Sequence, residues 1–175
     1  MKSGAEPGAV MITGATGGIG TAVATSLQSR GWSVSLLDLS TSVDELTSTL
    51  GAKRPGTVIG TMGSAADPAI VEAWLAQTLS AFGTVQGLVN VAGLFTSRAM
   101  VDLSLDEMLD SLTANLITAM VCCQAVGREM VRAGRGSIVN FASTAGEYGS
   151  VSPAAHYAAA KGGVIALTKS LAREF

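Results

Sequence analysis

A tyrosine and a lysine near the end of the chain have the types and the spacing that proton transfer needs. Tyr157 and Lys161 are separated by three alanines, so in a helix they lie one turn apart on the same face. A free tyrosine, with a pKa near ~10, is a poor acid or base at neutral pH, but a nearby ammonium favours the phenolate. A phenol assisted in this way can pass a proton to or from an alcohol or carbonyl oxygen. The Y-x-x-x-K pattern also arises by chance, so an ordinary exposed pair stays open at this point.

Glycines near the start of the chain form a candidate phosphate-binding turn. The apolar run Ala9–Ile12 predicts a strand and residues 18–30 have helical periodicity, so a glycine-rich turn joins a strand to a helix. Gly14, Gly18 and Gly20 carry no Cβ, which lets the backbone approach a pyrophosphate. The helix N-terminus then offers N–H groups to the phosphate. The spacing is G-x-x-x-G-x-G, and because the chain holds 21 glycines, a plain tight turn is the alternative.

Asp38 ends the second strand-like run and is a candidate for cofactor selection. In a doubly wound sheet an acid at this place accepts hydrogen bonds from the adenosine ribose, and it repels a 2′-phosphate. The sequence therefore predicts NAD, with NADP disfavoured, and the lack of a basic residue at Thr16 or Gly17 agrees with this. The alternative is that Asp38 is a turn residue or the cap of a helix that begins near Ser42.

Further polar residues lie where α/β folds place their ligands. Residues 136–142 predict a strand that ends before Ser143, and ligands bind at the carboxyl ends of such strands. The Ser143 hydroxyl can hydrogen-bond a substrate oxygen at that place. The run Leu88–Gly93 predicts another buried strand that leads into a loop, and Asn115 is a polar residue in an otherwise apolar helix.

Taken together, these motifs resemble the short-chain dehydrogenase/reductase family, in the group often called classical. The resemblance rests on T-G-x-x-x-G-I-G at 13–20, N-V-A-G at 90–93, Asn115, Ser143 and Tyr157-x-x-x-Lys161, in the family's order and over essentially the whole chain. It implies hydride transfer between a nicotinamide and a carbinol or carbonyl carbon, coupled to proton transfer through Tyr157. It also implies that Lys161 binds the nicotinamide ribose, that Ser143 polarises the substrate oxygen, and that Asn115 holds a water linking Lys161 to solvent.

The same resemblance assigns the cofactor contacts. It implies that the glycine-rich turn wraps the pyrophosphate, that Asp38 binds the adenosine ribose, and that the N-V-A-G segment lines the groove. The candidate catalytic residues are Asn115, Ser143, Tyr157 and Lys161. The candidate cofactor-binding residues are Gly14, Thr16, Gly18, Ile19, Gly20, Asp38, Asn90, Ala92, Gly93, Tyr157 and Lys161.

The chain departs from the family in two places. Relatives usually carry an Asp followed by an apolar residue after the third strand, against the adenine, whereas Gly60–Gly63 holds no acid. Relatives also continue with a further strand, a substrate-covering segment and a last strand beyond the position of Phe175. We therefore expect a C-terminally incomplete chain.

The order of the elements predicts the fold class. Strands alternating with helices predict an α/β fold, a doubly wound parallel sheet of Rossmann type with helices on both faces, lacking the last strands. We expect one dinucleotide-binding domain over 1–175, with 1–8 as a flexible tail. Ser152 and Pro153 are expected to start the last helix, and Asn115 to mark a bend in a long one. The predicted strands are 9–13, 33–38, 57–60, 86–91 and 136–142, and the predicted helices are 18–30, 42–50, 67–82, 105–133 and 153–174.

Composition narrows the classes of partner. The net charge of −2, with scattered basic residues, argues against nucleic acid. No run approaches ~18 uninterrupted apolar residues, so we expect no membrane span. With one histidine, His156, and no acidic cluster, we expect no metal site, and His156 is expected to support the site or to lie at the surface rather than to catalyse. The adjacent Cys122 and Cys123 cannot form an ordinary disulfide, which fits a reducing cytoplasm.

Two classes of function remain open from the sequence. The first is an NAD(P)-dependent oxidoreductase that acts on a secondary alcohol or ketone with Tyr157 as acid and base. The alternative is a truncated, non-catalytic relative that only binds nucleotide or assembles with partners. We also expect a homodimer or homotetramer built on the helices near 105–133 and 153–174. The candidate substrate contacts are Phe95, Met100, Glu147 and Tyr148.

Overall fold

The computed structural model describes residues 8–175, and these contain a five-stranded sheet in the order β3-β2-β1-β4-β5. The strands are β1 Ala9–Thr13, β2 Ser33–Asp38, β3 Val58–Met62, β4 Val85–Asn90 and β5 Ser137–Asn140. All four pairings are parallel. The predicted α/β class is confirmed, and every predicted strand is present within a few residues of its expected bounds.

The central strand β1 explains why the first apolar run is uninterrupted. It is paired on both sides, with β2 and with β4, and all five of its residues are buried. A strand covered on both faces and at both edges has no polar face to show in its sequence. The chain leaves β1 for β2 on one side and later returns to β4 on the other, so the strand order reverses beside β1. Ligands of doubly wound sheets bind beyond the carboxyl ends of the strands at such a reversal.

The hydrophobic core has two parts, one on each face of the sheet. Successive strand residues point to opposite faces, so Val10 and Ile12 belong to one part and Met11 to the other. Ala24 of the first helix packs in the first part, and the fully buried Trp74 of the third helix packs in the second. Helices therefore cover both faces, as predicted. The helices are α1 Gly18–Ser29, α2 Ser42–Lys53, α3 Pro68–Phe82, α4 Leu105–Leu112, α5 Thr118–Ala133, α6 Ala145–Tyr148 and α7 Ala155–Glu174.

Several helix ends follow directly from local sequence. Asp67 accepts hydrogen bonds from the first N–H groups of α3, and Gly83 ends that helix in the left-handed conformation. Ser104 and Glu107 form a reciprocal capping box at the start of α4. These caps fix where each helix begins, and so fix which residues the following loops present.

The predicted helix over 105–133 is interrupted at the predicted place. A π-helical turn, Thr113–Ile117, separates α4 from α5 and has Asn115 at its centre. Against the expectation from apolar run length, Leu105–Ala133 is long and apolar enough to cross a membrane, with a mean hydropathy of 1.3. That window is 44% buried within the protein, and a helix of a protein core meets the same two criteria, so this is weak evidence for a span.

The predicted start of the last helix is wrong. Helix α7 begins at Ala155, and its capping residue, Ala154, makes no side-chain cap. The carbonyl of Pro153 instead accepts a hydrogen bond from the backbone N–H of Arg98, at 2.6 Å. A tertiary contact with a distant loop therefore overrides the local capping signal at Ser152 and Pro153.

Two other boundaries differ from the sequence prediction. The predicted tail at 1–8 lies outside the described residues except for Gly8, which is buried and accepts a hydrogen bond from the N–H of Ser33. The short helix α6 was not predicted. It packs closely on α7, because a Cβ at Gly146 would lie only 2.6 Å from the backbone nitrogen of Gly162.

Candidate active site

The three motif glycines of the glycine-rich turn have different structural roles. Gly14 has φ +62°, and a Cβ on it would lie 2.8 Å from the backbone nitrogen of Ala92. A Cβ on Gly20 would overlap the carbonyl oxygen of Gly14. At Gly18, by contrast, none of the described atoms lies within 4 Å of a built Cβ. The outer two glycines are therefore required for packing, and the middle one leaves open space at the start of α1.

The start of α1 suits an anion. Gly17 is the capping residue, so no side chain of the described chain occupies the first N–H groups, and the first turn carries no acid. The N-terminal N–H groups and the helix dipole together favour a phosphate at such a place.

Asp38 is held in a fixed orientation at the end of β2. Its carboxylate accepts hydrogen bonds from the backbone N–H of Thr16, at 2.9 Å, and of Ser40, at 3.0 Å. These bonds tie the end of β2 to the glycine-rich turn. The carboxylate is neither a helix cap nor a plain turn residue, because one of its donors comes from the turn after β1.

A cavity of about 640 Å³ runs along the carboxyl edge of the sheet. It joins the glycine-rich turn, the end of β2 and the loop after β4. The predicted cofactor residues that line it are Gly14, Thr16, Gly18, Ile19, Asp38, Ala92 and Gly93. A second cavity, of about 450 Å³, lies beside β5 and α7, and none of the predicted site residues lines it. The first cavity is therefore the candidate cofactor site.

Asn90, which was predicted to line the groove, does not line this cavity. Its amide nitrogen donates to the side-chain oxygen of Asn140, at 2.8 Å, and to the sulfur of Cys123, at 3.4 Å. Strand alternation turns this side chain toward α5 rather than toward the groove. Val91, the next residue, lines the cavity in its place.

Thr13 is a site-shaping residue that sequence reasoning missed. Its buried hydroxyl oxygen accepts hydrogen bonds from the backbone N–H groups of Val91 and Ala92, both at 3.2 Å. The end of β1 thus holds the loop after β4 in place. The available signal was a polar residue closing an otherwise apolar strand.

The segment beyond the end of β3 lies a few residues later than the sequence suggested. Strand β3 continues to Met62, so the residues beyond its carboxyl end are Gly63, Ser64 and Ala65, and all three line the cavity. Ser64 followed by the apolar Ala65 therefore stands where relatives carry an acid and an apolar residue. The nearest acid, Asp67, is used to cap α3.

Tyr157 and Lys161 lie together on α7, as predicted. The Lys161 nitrogen is 5.9 Å from the centre of the Tyr157 ring and donates a hydrogen bond to the carbonyl of Phe141, at 2.8 Å. Lys161 is 5% exposed, and this burial lowers the pKa of its ammonium. A lysine held in this way is a buried donor beside a phenol.

Asn115 organises the loop between the cavity and Lys161. Its side-chain oxygen accepts from the N–H of Leu94, at 3.1 Å, and its amide nitrogen donates to the carbonyls of Leu94, at 2.7 Å, and Ser111, at 3.0 Å. A Cβ on Gly93 would lie 2.6 Å from that oxygen and 3.4 Å from the Lys161 nitrogen. Gly93 also lines the cavity, so the cavity reaches the neighbourhood of Lys161.

Ser143 lies in the turn between β5 and α6. Its hydroxyl accepts a hydrogen bond from the N–H of Ala145, at 3.2 Å, and the side chain is half-buried. The contact between Gly146 and Gly162 holds this turn against the helix that carries Tyr157. Sequence reasoning missed both glycines, because their need for closeness exists only in the folded chain.

The candidate substrate side is apolar and exposed. The ring of Phe95 meets the ring of Tyr157 edge to face, with centroids 5.0 Å apart and an interplanar angle of 89°. Met100 and Tyr148 are also exposed, and Tyr148 is 84% exposed. Among the four predicted substrate contacts, Phe95 packs against a catalytic candidate, Tyr157.

Comparison with known proteins places this arrangement in a family. The short chain dehydrogenase family matches residues 8–175. D-Threitol dehydrogenase of Mycolicibacterium smegmatis is 36% identical over 166 residues, which cover 94% of this chain and 63% of that protein. A 3-oxoacyl-acyl-carrier-protein reductase of Salmonella typhimurium is 36% identical over 169 residues, covering 94% of this chain and 66% of that protein.

Solved structures show the same likeness. Sorbitol-6-phosphate 2-dehydrogenase of Erwinia amylovora has a TM-score of 0.89 at 29% identity, over 94% of this chain and 65% of that one. Levodione reductase has a TM-score of 0.88 at 30% identity, over 95% of this chain and 66% of that one. The chain thus spans about two thirds of the length of the relatives it matches. With its motifs, fold and site in agreement, the chain belongs to the short-chain dehydrogenase family.

Proposed function

We propose that this chain supplies the cofactor-binding and proton-transfer residues of an NAD(P)-dependent oxidoreductase that acts on a secondary alcohol or ketone. One observation carries the proposal. Gly93 lines the cavity that begins at the glycine-rich turn, and a Cβ on it would lie 3.4 Å from the buried nitrogen of Lys161. The cavity that begins at the glycine-rich turn therefore extends to a residue next to Lys161, on the helix that carries Tyr157.

The residues of the cavity fit a nicotinamide dinucleotide. Open space at Gly18 and the N–H groups at the start of α1 suit a pyrophosphate, and the fixed carboxylate of Asp38 suits a ribose. We propose NAD in preference to NADP, because the Asp38 carboxylate repels a 2′-phosphate. Ser64 offers a hydroxyl in place of an acid at the adenine end.

The chemistry divides between cofactor and protein. A bound nicotinamide would donate or accept the hydride. Tyr157 would give a proton to, or take one from, the substrate oxygen, with the Lys161 ammonium nearby to favour the phenolate. The hydroxyl of Ser143 would hold the same substrate oxygen. Asn115 would keep the loop at Gly93 in place through its bonds to Leu94.

The substrate class follows the relatives. The names of D-threitol dehydrogenase and levodione reductase describe an alcohol and a carbonyl compound, and both proteins resemble this chain. A phenol that exchanges a proton with oxygen serves either direction of that reaction.

The proposal is tested first on the chain as it stands. Titration calorimetry with NAD and with NADP measures binding, and absorbance of the reduced nicotinamide measures turnover with a panel of secondary alcohols and ketones. We expect NAD binding and turnover of at least one member of the panel. Binding without turnover would favour the non-catalytic alternative, and no binding of either dinucleotide would contradict the proposal.

We also propose a homodimer or homotetramer built on the outer faces of α5 and α7. Apolar side chains remain exposed there, including Met120 at 44%, Val131 at 56% and Phe175 at 54%. Two copies that bury such faces around a twofold axis would cover them. Light scattering at micromolar concentration checks this, and a monodisperse monomer would contradict it.

A cytoplasmic location is part of the proposal. Burial raises the pKa of Cys122 to about 12 and that of Cys123 to about 11. Both buried thiols therefore stay protonated at neutral pH and are suited to packing rather than to redox chemistry. Neighbouring reduced cysteines are typical of proteins kept in a reducing compartment.

A further inference from the structure

The loop after Gly93 runs beside the start of α7, and adjacent loop residues meet adjacent helix residues. Phe95 packs edge to face on Tyr157, with ring centroids 5.0 Å apart. The next loop residue, Thr96, places its hydroxyl oxygen 2.9 Å from the Nε2 atom of His156, the helix residue before Tyr157. The aromatic contact and the hydrogen bond are therefore made by consecutive residues of the loop and by consecutive residues of α7.

The far end of the same loop is fastened as well. The Ser97 hydroxyl donates to the carbonyl of Pro153, at 3.3 Å, and the N–H of Arg98 donates to that carbonyl at 2.6 Å. The near end is held by Asn115, through both backbone groups of Leu94. Between these two anchors, the described residues show one side-chain hydrogen bond, between Thr96 and His156.

His156 is the buried member of the pair. It is 5% exposed, whereas Phe95 is 53% exposed and Thr96 is also exposed. Its Nδ1 atom has no hydrogen-bond partner among residues 8–175, so Thr96 supplies the one bond its ring makes there. Losing that bond would leave a buried polar ring without a partner, which costs free energy, so the folded chain favours keeping it.

His156 does not share the reacting face of α7. Adjacent residues of a helix point about 100° apart, and the ring of His156 is turned to Thr96 while that of Tyr157 meets Phe95. Its influence on Tyr157 therefore passes through the loop, because Thr96 and Phe95 are neighbours in the chain.

We propose that His156 and Thr96 are a positioning pair that holds the Phe95 ring against Tyr157. The contact limits the rotation of the phenol and places an apolar wall beside it. Phe95 remains half exposed, so its free face would meet the substrate carbons next to the reacting oxygen. This inference rests on the proposed function for its consequence in catalysis, but the positioning itself can be measured without turnover.

The first test observes Tyr157 directly by NMR of protein with ¹³C-labelled tyrosine rings. The chain has two tyrosines, and the exposed Tyr148 serves as an internal reference. A Phe95→Leu variant removes the neighbouring ring and defines the resonance of Tyr157 without it. Thr96→Val removes the hydroxyl at nearly constant size, and Thr96→Ser retains it.

We expect Thr96→Val to shift the Tyr157 resonance toward its position in Phe95→Leu, and Thr96→Ser to leave it near the wild-type position. An unchanged resonance in folded Thr96→Val, or equal shifts in both Thr96 variants, would overturn the inference. Circular dichroism establishes that each variant is folded. Because the readout needs no cofactor, it can succeed or fail independently of the proposed function.

The second test applies to the active enzyme. Thr96→Val and His156→Phe are each expected to raise the KM for the alcohol or ketone several-fold more than they change the KM for NAD. The double variant should cost little more than either single one, because both remove the same bond. Additive losses, or equal effects on both KM values, would overturn the inference.

Discussion

The two ends of the candidate site are built in different ways. At the cofactor end, one continuous segment, 13–20, supplies backbone groups, and its glycines matter for the side chains they lack. At the catalytic end, side chains come from separate segments, namely Asn115 from the π-turn, Ser143 from the turn after β5, and Tyr157 and Lys161 from α7. The glycine-rich turn is local in sequence, whereas the catalytic side chains are brought together by tertiary contacts.

This difference determines how each end responds to substitution. A side chain added at Gly14 or Gly20 collides with backbone, so it changes folding and binding together. Removing the phenol oxygen of Tyr157 leaves the backbone in place and changes the chemistry alone. Variants at the two ends should therefore separate binding, stability and turnover.

The largest effect is expected at the catalytic end. Tyr157→Phe removes the phenol oxygen and retains the ring that packs on Phe95. In the active enzyme, turnover should fall by about 10²–10⁴-fold, the usual contribution of general acid–base catalysis, while the NAD dissociation constant stays nearly unchanged. Initial rates and calorimetry measure the two quantities.

The control is Ser48→Ala, which removes a hydroxyl from the exposed side of α2 and should retain full activity. If Tyr157→Phe kept more than a few per cent of wild-type turnover, the assigned acid–base role would be wrong. A loss of NAD binding in that variant would also break the proposed separation of the two ends.

At the cofactor end, two glycines should give opposite results. Gly14→Ala forces a side chain into a conformation with φ +62° and against Ala92, and should lower the free energy of unfolding by about 1–3 kcal/mol. Gly18→Ala adds its methyl to open space, so stability should hold or rise. The same methyl would occupy the pyrophosphate space and should weaken NAD binding about tenfold, or ~1.4 kcal/mol.

Urea unfolding and calorimetry distinguish these results. Equal stability losses in both variants would show that Gly18 is required for packing rather than for the ligand. Undiminished NAD binding by Gly18→Ala would place the pyrophosphate elsewhere.

The sequence predicts local motifs better than distant contacts, for a physical reason. The strand, turn and helix around Gly14 are set by residues close in the chain, so their pattern is visible without the fold. The distant contacts are not visible in this way. The carbonyl of Pro153 accepts a hydrogen bond from the N–H of Arg98, and Pro153 does not start α7. The side chain of Asn90 bonds to that of Asn140 and does not face the groove.

The same reasoning explains the residues that were missed. Thr13 looks like the end of an apolar strand, and its role appears only when the loop at Val91 and Ala92 lies beside it. Gly146 and Gly162 are small residues in a chain rich in them, and their closeness exists only once α6 meets α7. Motif spacing finds reactive side chains, but not the contacts that orient them.

A smaller effect is expected for cofactor choice. Asp38→Asn removes the negative charge and retains an oxygen that can accept from the N–H of Thr16. The preference for NAD over NADP should narrow by about tenfold, or ~1.4 kcal/mol, because the repulsion of a 2′-phosphate is lost. Calorimetry with both dinucleotides measures it, and Asp44→Asn, on the exposed side of α2, is the control. Tighter binding of NADP by the wild-type chain would refute the role of Asp38.

The smallest effect concerns the stability of the catalytic end. Burial lowers the pKa of Lys161 below its ordinary value of 10.5, so folding disfavours its protonated form. In the pH window between the lowered folded pKa and 10.5, the unfolded chain binds more protons, and stability rises with pH. Below that window the full cost of burying the Lys161 ammonium is present.

Lys161→Met removes this penalty while keeping a long side chain. The free energy of unfolding of the variant, relative to that of the wild type, should therefore be higher at pH 7 than at pH 10. Urea unfolding at both pH values measures the difference. Lys169→Met, at an exposed position on the same helix, should show no such dependence. Parallel pH profiles for Lys161→Met and the wild type would mean that the ammonium of Lys161 is solvated in the folded chain, and the catalytic end would then lack the buried cation that sets it apart from the cofactor end.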